Sequence, residues 1–116
     1  MQHRRKGRIL QREKGPRKAL LDSLMRALIL KNGIFTTEAR GKEMRPRLER
    51  LITQEKAGTL AAHRRLVATV GPDAAAKMKR DILPQMINRT GGYIRIEKVG
   101  VRKSDASRMV RVSFVE

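Results

Sequence analysis

The side chains best suited to chemistry lie at the amino end, where MQHRRKGRILQREKGPRK sets Arg4, Arg5, Lys6, Arg8, Arg12, Lys14, Arg17 and Lys18 against one acid, Glu13. Their chemistry is anion binding. Arg can fork two phosphate oxygens or stack on an exposed base, whereas Lys is a mobile point charge. Met1, Ile9 and Leu10 are the only apolar side chains available for burial in this stretch, so an ordering cost of roughly 1 to 2 kcal/mol per residue has no internal compensation. Order must come from a polyanion. His3 is read as a further contact to phosphate or base, and Gly7 and Gly15 let a partner approach the backbone closely.

The charge balance of the whole chain extends that inference. Against 28 Lys plus Arg stand 11 Asp plus Glu, a formal +17 over 116 residues. Like charge at this density repels itself and draws counterions, which points to a large anion, and nucleic acid is the commonest. No apolar run approaches the roughly 20 residues of a membrane-crossing helix, and the amino end lacks the apolar block of a signal peptide. The expected address is therefore the cytoplasm, with no membrane partner. Aromatics are limited to Phe35, Tyr93 and Phe114, so readout of backbone and shape fits better than base stacking on an aromatic platform.

Catalysis finds little support. Cysteine is absent, which removes disulfides, thiolate zinc sites and thiol nucleophiles together. His3 and His63 have no spacing partner that would make a metal site or a general-base pair, and the acids are dispersed among cations. No phosphate-loop signature is present. The expectation is a protein that is not an enzyme, with no metal, no cofactor and no small-molecule substrate; the six Met read as core filling.

The elements that must position the cations follow from periodicity. Leu20, Leu21, Leu24, Met25, Leu28 and Ile29 recur at helical spacing, which predicts a helix over about 16–32, with Asn32-Gly33 as its left-handed stop. Ile34, Phe35, Thr36 and Thr37 predict a short strand. Thr37 can cap a second helix carrying Met44, Leu48, Leu51 and Ile52, with a kink or break expected ahead of Pro46. Thr59 can cap a third, with Leu60, Leu66, Val67 and Val70 inward. Gly71-Pro72-Asp73 starts a further helical stretch with Ala74, Ala75, Met78, Ile82 and Met86, interrupted at Pro84. The period then changes to two, predicting strands over 93–99 and 108–115 joined by the basic loop GVRKSDAS. The expected fold class is α+β, with helices packed on one face of a small, about three-stranded sheet and a basic extended N-terminal arm. The expected division is a basic, nucleic-acid-binding arm over 1–15 and one α+β domain over 16–116.

Three further cation groups can serve a nucleic acid. Arg40, Lys42 and Arg45 cluster near Pro46, where the competing reading is a solvated helix face; Arg47 and Arg50 fit that face, with Glu43 and Glu49 spaced to pair with Arg47 and Arg45. Arg89-Thr90-Gly91-Gly92-Tyr93 puts paired glycines, whose N–H groups can approach an anion, between Arg89 and Tyr93, although such a pair is also an ordinary strand-entry turn. Arg102 and Lys103 lie in the basic loop. A DNA-binding module is the alternative, with the third helix in a major groove and Arg64 and Arg65 as readers.

Three blocks in order carry a resemblance: MxHRxxGRxLxRxxxxRKALLxxL at the start, IxTTxAxxKExRPxxExLIT over 34–53, and NRxGGYxRIxKxGxRxxDA over 88–106. Together they resemble the L-seventeen family of bacterial large-subunit ribosomal proteins over nearly the whole chain. Gln2, Ile9, Gln11, Pro16 and Gly41 depart from the usual pattern. The resemblance implies a small domain with a basic extension, bound to large-subunit ribosomal RNA near the exit-tunnel side, with neighbouring large-subunit ribosomal proteins as further partners. It also implies RNA-facing roles for His3 and the arm cations, for Arg40, Lys42 and Arg45, and for Arg89, Gly91, Gly92, Tyr93 and Arg95.

Overall fold

The computed structural model describes residues 14–115, so the expectations for His3, Arg4, Arg5, Lys6, Arg8 and Arg12 lie outside the described residues. Within them the order is α1 (Lys14–Lys31), β1 (Gly33–Thr37), α2 (Glu38–Lys56), α3 (Leu60–Val70), α4 (Pro72–Lys77), a π-helical turn (Met78–Ile82), α5 (Leu83–Met86), β2 (Ile94–Val101) and β3 (Arg108–Phe114). The three strands form one antiparallel sheet in the order β1-β3-β2. Helices cover one face of it, which is the α+β arrangement that the periodicities require.

The boundaries follow local chemistry. α1 takes in Lys14 and Gly15 ahead of Pro16, where the spacing had placed its start. Asn32, at φ 61°, takes the left-handed stop, which frees Gly33 to begin β1. The Thr37 and Thr59 hydroxyls cap α2 and α3, accepting from the N–H groups of Arg40 and Ala62. Three expectations are corrected. α2 runs through Pro46 as one unbroken helix from Glu38 to Lys56, with Met44, Leu48 and Ile52 fully buried on either side of the proline. Leu60 is 64 % exposed, because a helix started by Thr59 turns Ala62, Leu66 and Val70 inward at four-residue steps and leaves its first residue outside. The expected interruption at Pro84 begins earlier, at Met78: the proline offers no N–H to the turn before it, and a wider π turn absorbs the mismatch.

The core joins Leu21, Met25, Leu28 and Ile29 of α1 to the α2 stripe, to Leu66 and Val70 of α3, to Met78, Ile82 and Met86, and to Ile94, Val110 and Val112 of the sheet. The opposite sheet face is open, and there Phe35 is 68 % exposed opposite Arg111. Behind the core, Arg26 on α1 grips Asp73 at 2.5 and 2.6 Å and donates to the Val70 carbonyl at 2.8 Å, tying α1 to the α3–α4 corner. Gly71 makes that corner at φ 90°, and a Cβ there would lie 2.6 Å from the Arg26 guanidinium.

Gly71→Ala is therefore expected to lower the thermal midpoint by more than Gly58→Ala. Both positions have positive φ, a conformation costing an L residue about 1–2 kcal/mol, but a Cβ at Gly58 meets nothing within 4 Å. Equal losses would show that Arg26 yields freely. The clasp also sets a pH dependence: hydrogen bonds from Arg26 and then from the Ala74 N–H hold Asp73 at about 2, below its ordinary 3.8. A depressed carboxylate stabilises the fold above its unfolded pKa and loses that contribution as pH falls through the folded one. The stability gap between the parent and Asp73→Asn should thus be full above about pH 4 and close toward pH 2. A gap that stays constant over that range in urea titrations would refute the clasp.

Candidate nucleic-acid interface

α2 is the element from which the candidate site is built. Its buried stripe faces the core, so its remaining positions look toward β2 and β3, toward the turn before β2, and toward α1 and α3. On the sheet side a groove of ≈ 400 Å³ is lined by Lys42, Arg45, Glu38, Ile96, Lys98 and Val110. Lys42 bonds Glu38 at 2.7 Å, and Arg45 bonds Glu49 at 2.8 Å. The Lys42 bond holds the Glu38 carboxyl below its ordinary pKa, helped by the nearby charges of Lys98 and Arg108. The structure thus brings two expected cations together with Lys98, which sequence spacing did not single out because it lies on a distant strand. Arg40 sits in the first turn of α2, half-buried.

The segment 89–93 is a turn clamped onto α2. Lys56 donates from Nζ to the Arg89 carbonyl and to the Tyr93 hydroxyl, and its ammonium lies 5.1 Å from the centre of the Tyr93 ring. The Tyr93 hydroxyl donates to the Arg89 carbonyl at 3.3 Å, and the Tyr93 N–H donates to Glu49 Oε2 at 3.0 Å. Tyr93 is 1 % exposed. Its ring is therefore core, lying beneath the turn, while Arg89, Gly91 and Gly92 are exposed above it. A groove of ≈ 460 Å³ runs beside them, lined by Pro46, Glu49, Arg50, Thr53, Gln54, Gly91 and Tyr93.

The remaining expected cations are spread over other surfaces. Lys14 and Lys18 are exposed and Arg17 half-buried on α1, with Lys18 bonded to Asp22 at 2.7 Å. Arg95 is exposed on the open sheet face, its Cα paired with Ser113. In the loop after β2, Arg102 bonds Asp105 at 2.6 and 3.0 Å, holding that carboxyl well below its ordinary range, and Lys103 is exposed beside it. Such exposed pairs are weak and screened by solvent, so a phosphate can draw these cations away at small cost.

Two groupings escaped the sequence reading. One is a cleft between α1, α2 and α3 that gathers Lys18, Arg47, Arg50 and Arg65, three of them previously assigned to a solvated face or to DNA reading. Arg65 turns into this cleft, whereas Arg64 is not part of it, so the two do not form one reading edge for a major groove. The other is His63, whose Nδ1 lies 3.2 Å from Oε1 of the buried Glu55, a pair made across the α2–α3 turn. Eight residues separate the two in sequence, and helical spacing alone does not pair them. Among the described residues no group of three or more His, Asp or Glu could hold a metal ion, and no helix is long and apolar enough to cross a membrane.

Comparison with known proteins decides the family. Residues 20–115 match the family model described as Ribosomal protein L17. The chain belongs to the ribosomal protein L17 family. It is similar to the large ribosomal subunit protein bL17 of Gemmatimonas aurantiaca, with 42 % identity over 116 residues, covering 99 % of this chain and 98 % of that protein. The bL17 of Shouchella clausii is 44 % identical over 115 residues, covering 91 % of this chain and 96 % of its own. The family match thus takes in α2, the clamped turn and all three strands, the elements from which the cationic surfaces are built.

The clamp makes a specific prediction. Glu49→Ala leaves the buried Tyr93 N–H without an acceptor, at a cost of about 1–3 kcal/mol, while Glu49→Gln keeps an oxygen within reach. The alanine variant should therefore show the larger fall in urea midpoint. Equal midpoints for the two variants would mean that the N–H finds water instead.

Proposed function

We propose that this chain is a structural constituent of the large ribosomal subunit that binds large-subunit ribosomal RNA, with neighbouring large-subunit ribosomal proteins beside it. The observation that carries the reading is membership of the L17 family over nearly the full length, joined to a formal +17 on 116 residues. In this reading the arm over 1–15 threads between RNA segments, its cations screening phosphates that RNA packing forces together. The domain over 16–116 fixes where the arm starts. Arg40, Lys42, Arg45, Arg95, Arg102 and Lys103 supply backbone contacts, and Tyr93 supports Arg89, Gly91 and Gly92 from beneath while they meet the RNA. No step of catalysis is assigned to it, and its place of work is the cytoplasmic ribosome.

If about eight phosphates are neutralised with a single-strand slope near −0.7 each, affinity falls about a thousandfold between about 50 and 200 mM salt. A flat salt profile for the isolated protein on ribosomal RNA would end the electrostatic account. In cells, the full chain should sediment with large subunits through a high-salt sucrose gradient, and a chain lacking residues 1–13 should do so poorly. Equal retention would remove the arm from the reading. Gly91 adds a local test, because a Cβ there meets nothing within 4 Å of the protein's own atoms. Gly91→Ala should leave the thermal midpoint in place and weaken RNA binding, since only an approaching partner is crowded; unchanged affinity would place the RNA elsewhere.

A further inference from the structure

We infer that the cleft between α1, α2 and α3 is a separate seat for an RNA sugar–phosphate backbone, an inference that rests on the ribosomal reading above and assigns it a site. The cleft has a volume of ≈ 370 Å³ and is lined by Lys18, Arg47, Arg50 and Arg65 over a floor that includes Met25 and Leu51. Against the roughly 30 Å³ that a water molecule occupies in the liquid, that is room for a sugar–phosphate unit. The only acid in its lining is Asp22, and Lys18 already engages it at 2.7 Å.

The cleft arginines differ from four others in the fold. Arg26, Arg45, Arg80 and Arg102 are each bonded to a carboxylate. Among the described residues, no hydrogen bond or ion pair engages the side chains of Arg47, Arg50 or Arg65. Folding therefore gathers three guanidinium groups into one cleft with Asp22 as its one acid, already engaged by Lys18, an arrangement that is unfavourable until an anion enters. Guanidinium forks match phosphate oxygens in pairs, which suits a phosphodiester better than a single small ion. Gln54, in the same lining, keeps a buried Oε1 with no donor, an acceptor that a ribose hydroxyl can satisfy once the amide turns outward. Lys18, in the cleft lining, is one helical turn beyond Lys14, where the described chain begins.

The test uses the full chain and deproteinised large-subunit ribosomal RNA. A variant with Arg47→Gln, Arg50→Gln and Arg65→Gln is compared with one of equal charge, Lys31→Gln, Lys79→Gln and Arg108→Gln, whose positions lie outside the cleft lining. The cleft variant should reduce the salt slope by about two, as expected for three lost phosphate contacts, and should lose hydroxyl-radical protection over one RNA segment next to that protected by the arm. The control should keep the footprint. Without RNA, the thermal midpoint of the cleft variant should not fall, because mutual repulsion is relieved. A cleft variant with the parent's slope and footprint would overturn the seat and leave the ribosomal reading standing. Loss confined to a cross-link with an acidic segment of a neighbouring protein would overturn it too. A parent chain that shows no preference for ribosomal RNA over duplex DNA would overturn both.

Discussion

Burial of one stripe of α2 is the constraint from which the rest of the arrangement follows. Met44, Leu48 and Ile52 are fully buried, and the helix that carries them packs on α1, on α3 and on all three strands. Each such side chain contributes about 1.5–3 kcal/mol by leaving water. Once that stripe is held, a helix with 3.6 residues per turn has no freedom left in where its other residues point. Lys42 and Arg45 then flank the sheet, Glu49 and Lys56 reach the turn before β2, and Arg47 and Arg50 enter the cleft with α1 and α3.

Charge is handled in a way that separates stability from binding. The core is apolar apart from a few groups such as Glu55, Thr36 and Ser113, while the cations stand outside it. Some are held by exposed carboxylates at i,i+4, as in Lys18–Asp22, Lys42–Glu38 and Arg45–Glu49. Exposed pairs of this kind orient a side chain without binding it tightly. A polyanion can therefore exchange them without loosening the packing beneath.

Much of the fold was legible before any tertiary information. The stripes Leu21, Met25, Leu28, Ile29 and Ala74, Ala75, Met78, Ile82, Met86 are buried where helical spacing put them, and Thr37 and Thr59 cap where their hydroxyls allowed. Alternation at Ile94 and Ile96 and at Val110 and Val112 marked the two later strands. Leu60 and the π turn were misread because hydrophobic type and proline position state a tendency, and the local helix phase decides the outcome. Tyr93 was read with its neighbours as a surface motif; the acceptor at Glu49 and the cation at Lys56 that hold it inward lie on α2, far away in sequence.

The sequence by itself determined the element order, the class of fold, the cationic character and the family, because each is a matter of composition, period or local motif. Tertiary structure alone decided that β3 lies between β1 and β2, that His63 meets Glu55, and that Lys18, Arg47, Arg50 and Arg65 share one cleft. The physical reason is common to all three. Each depends on which surfaces meet when α2 buries its apolar stripe, and residues from separate elements acquire a mutual distance only through that packing.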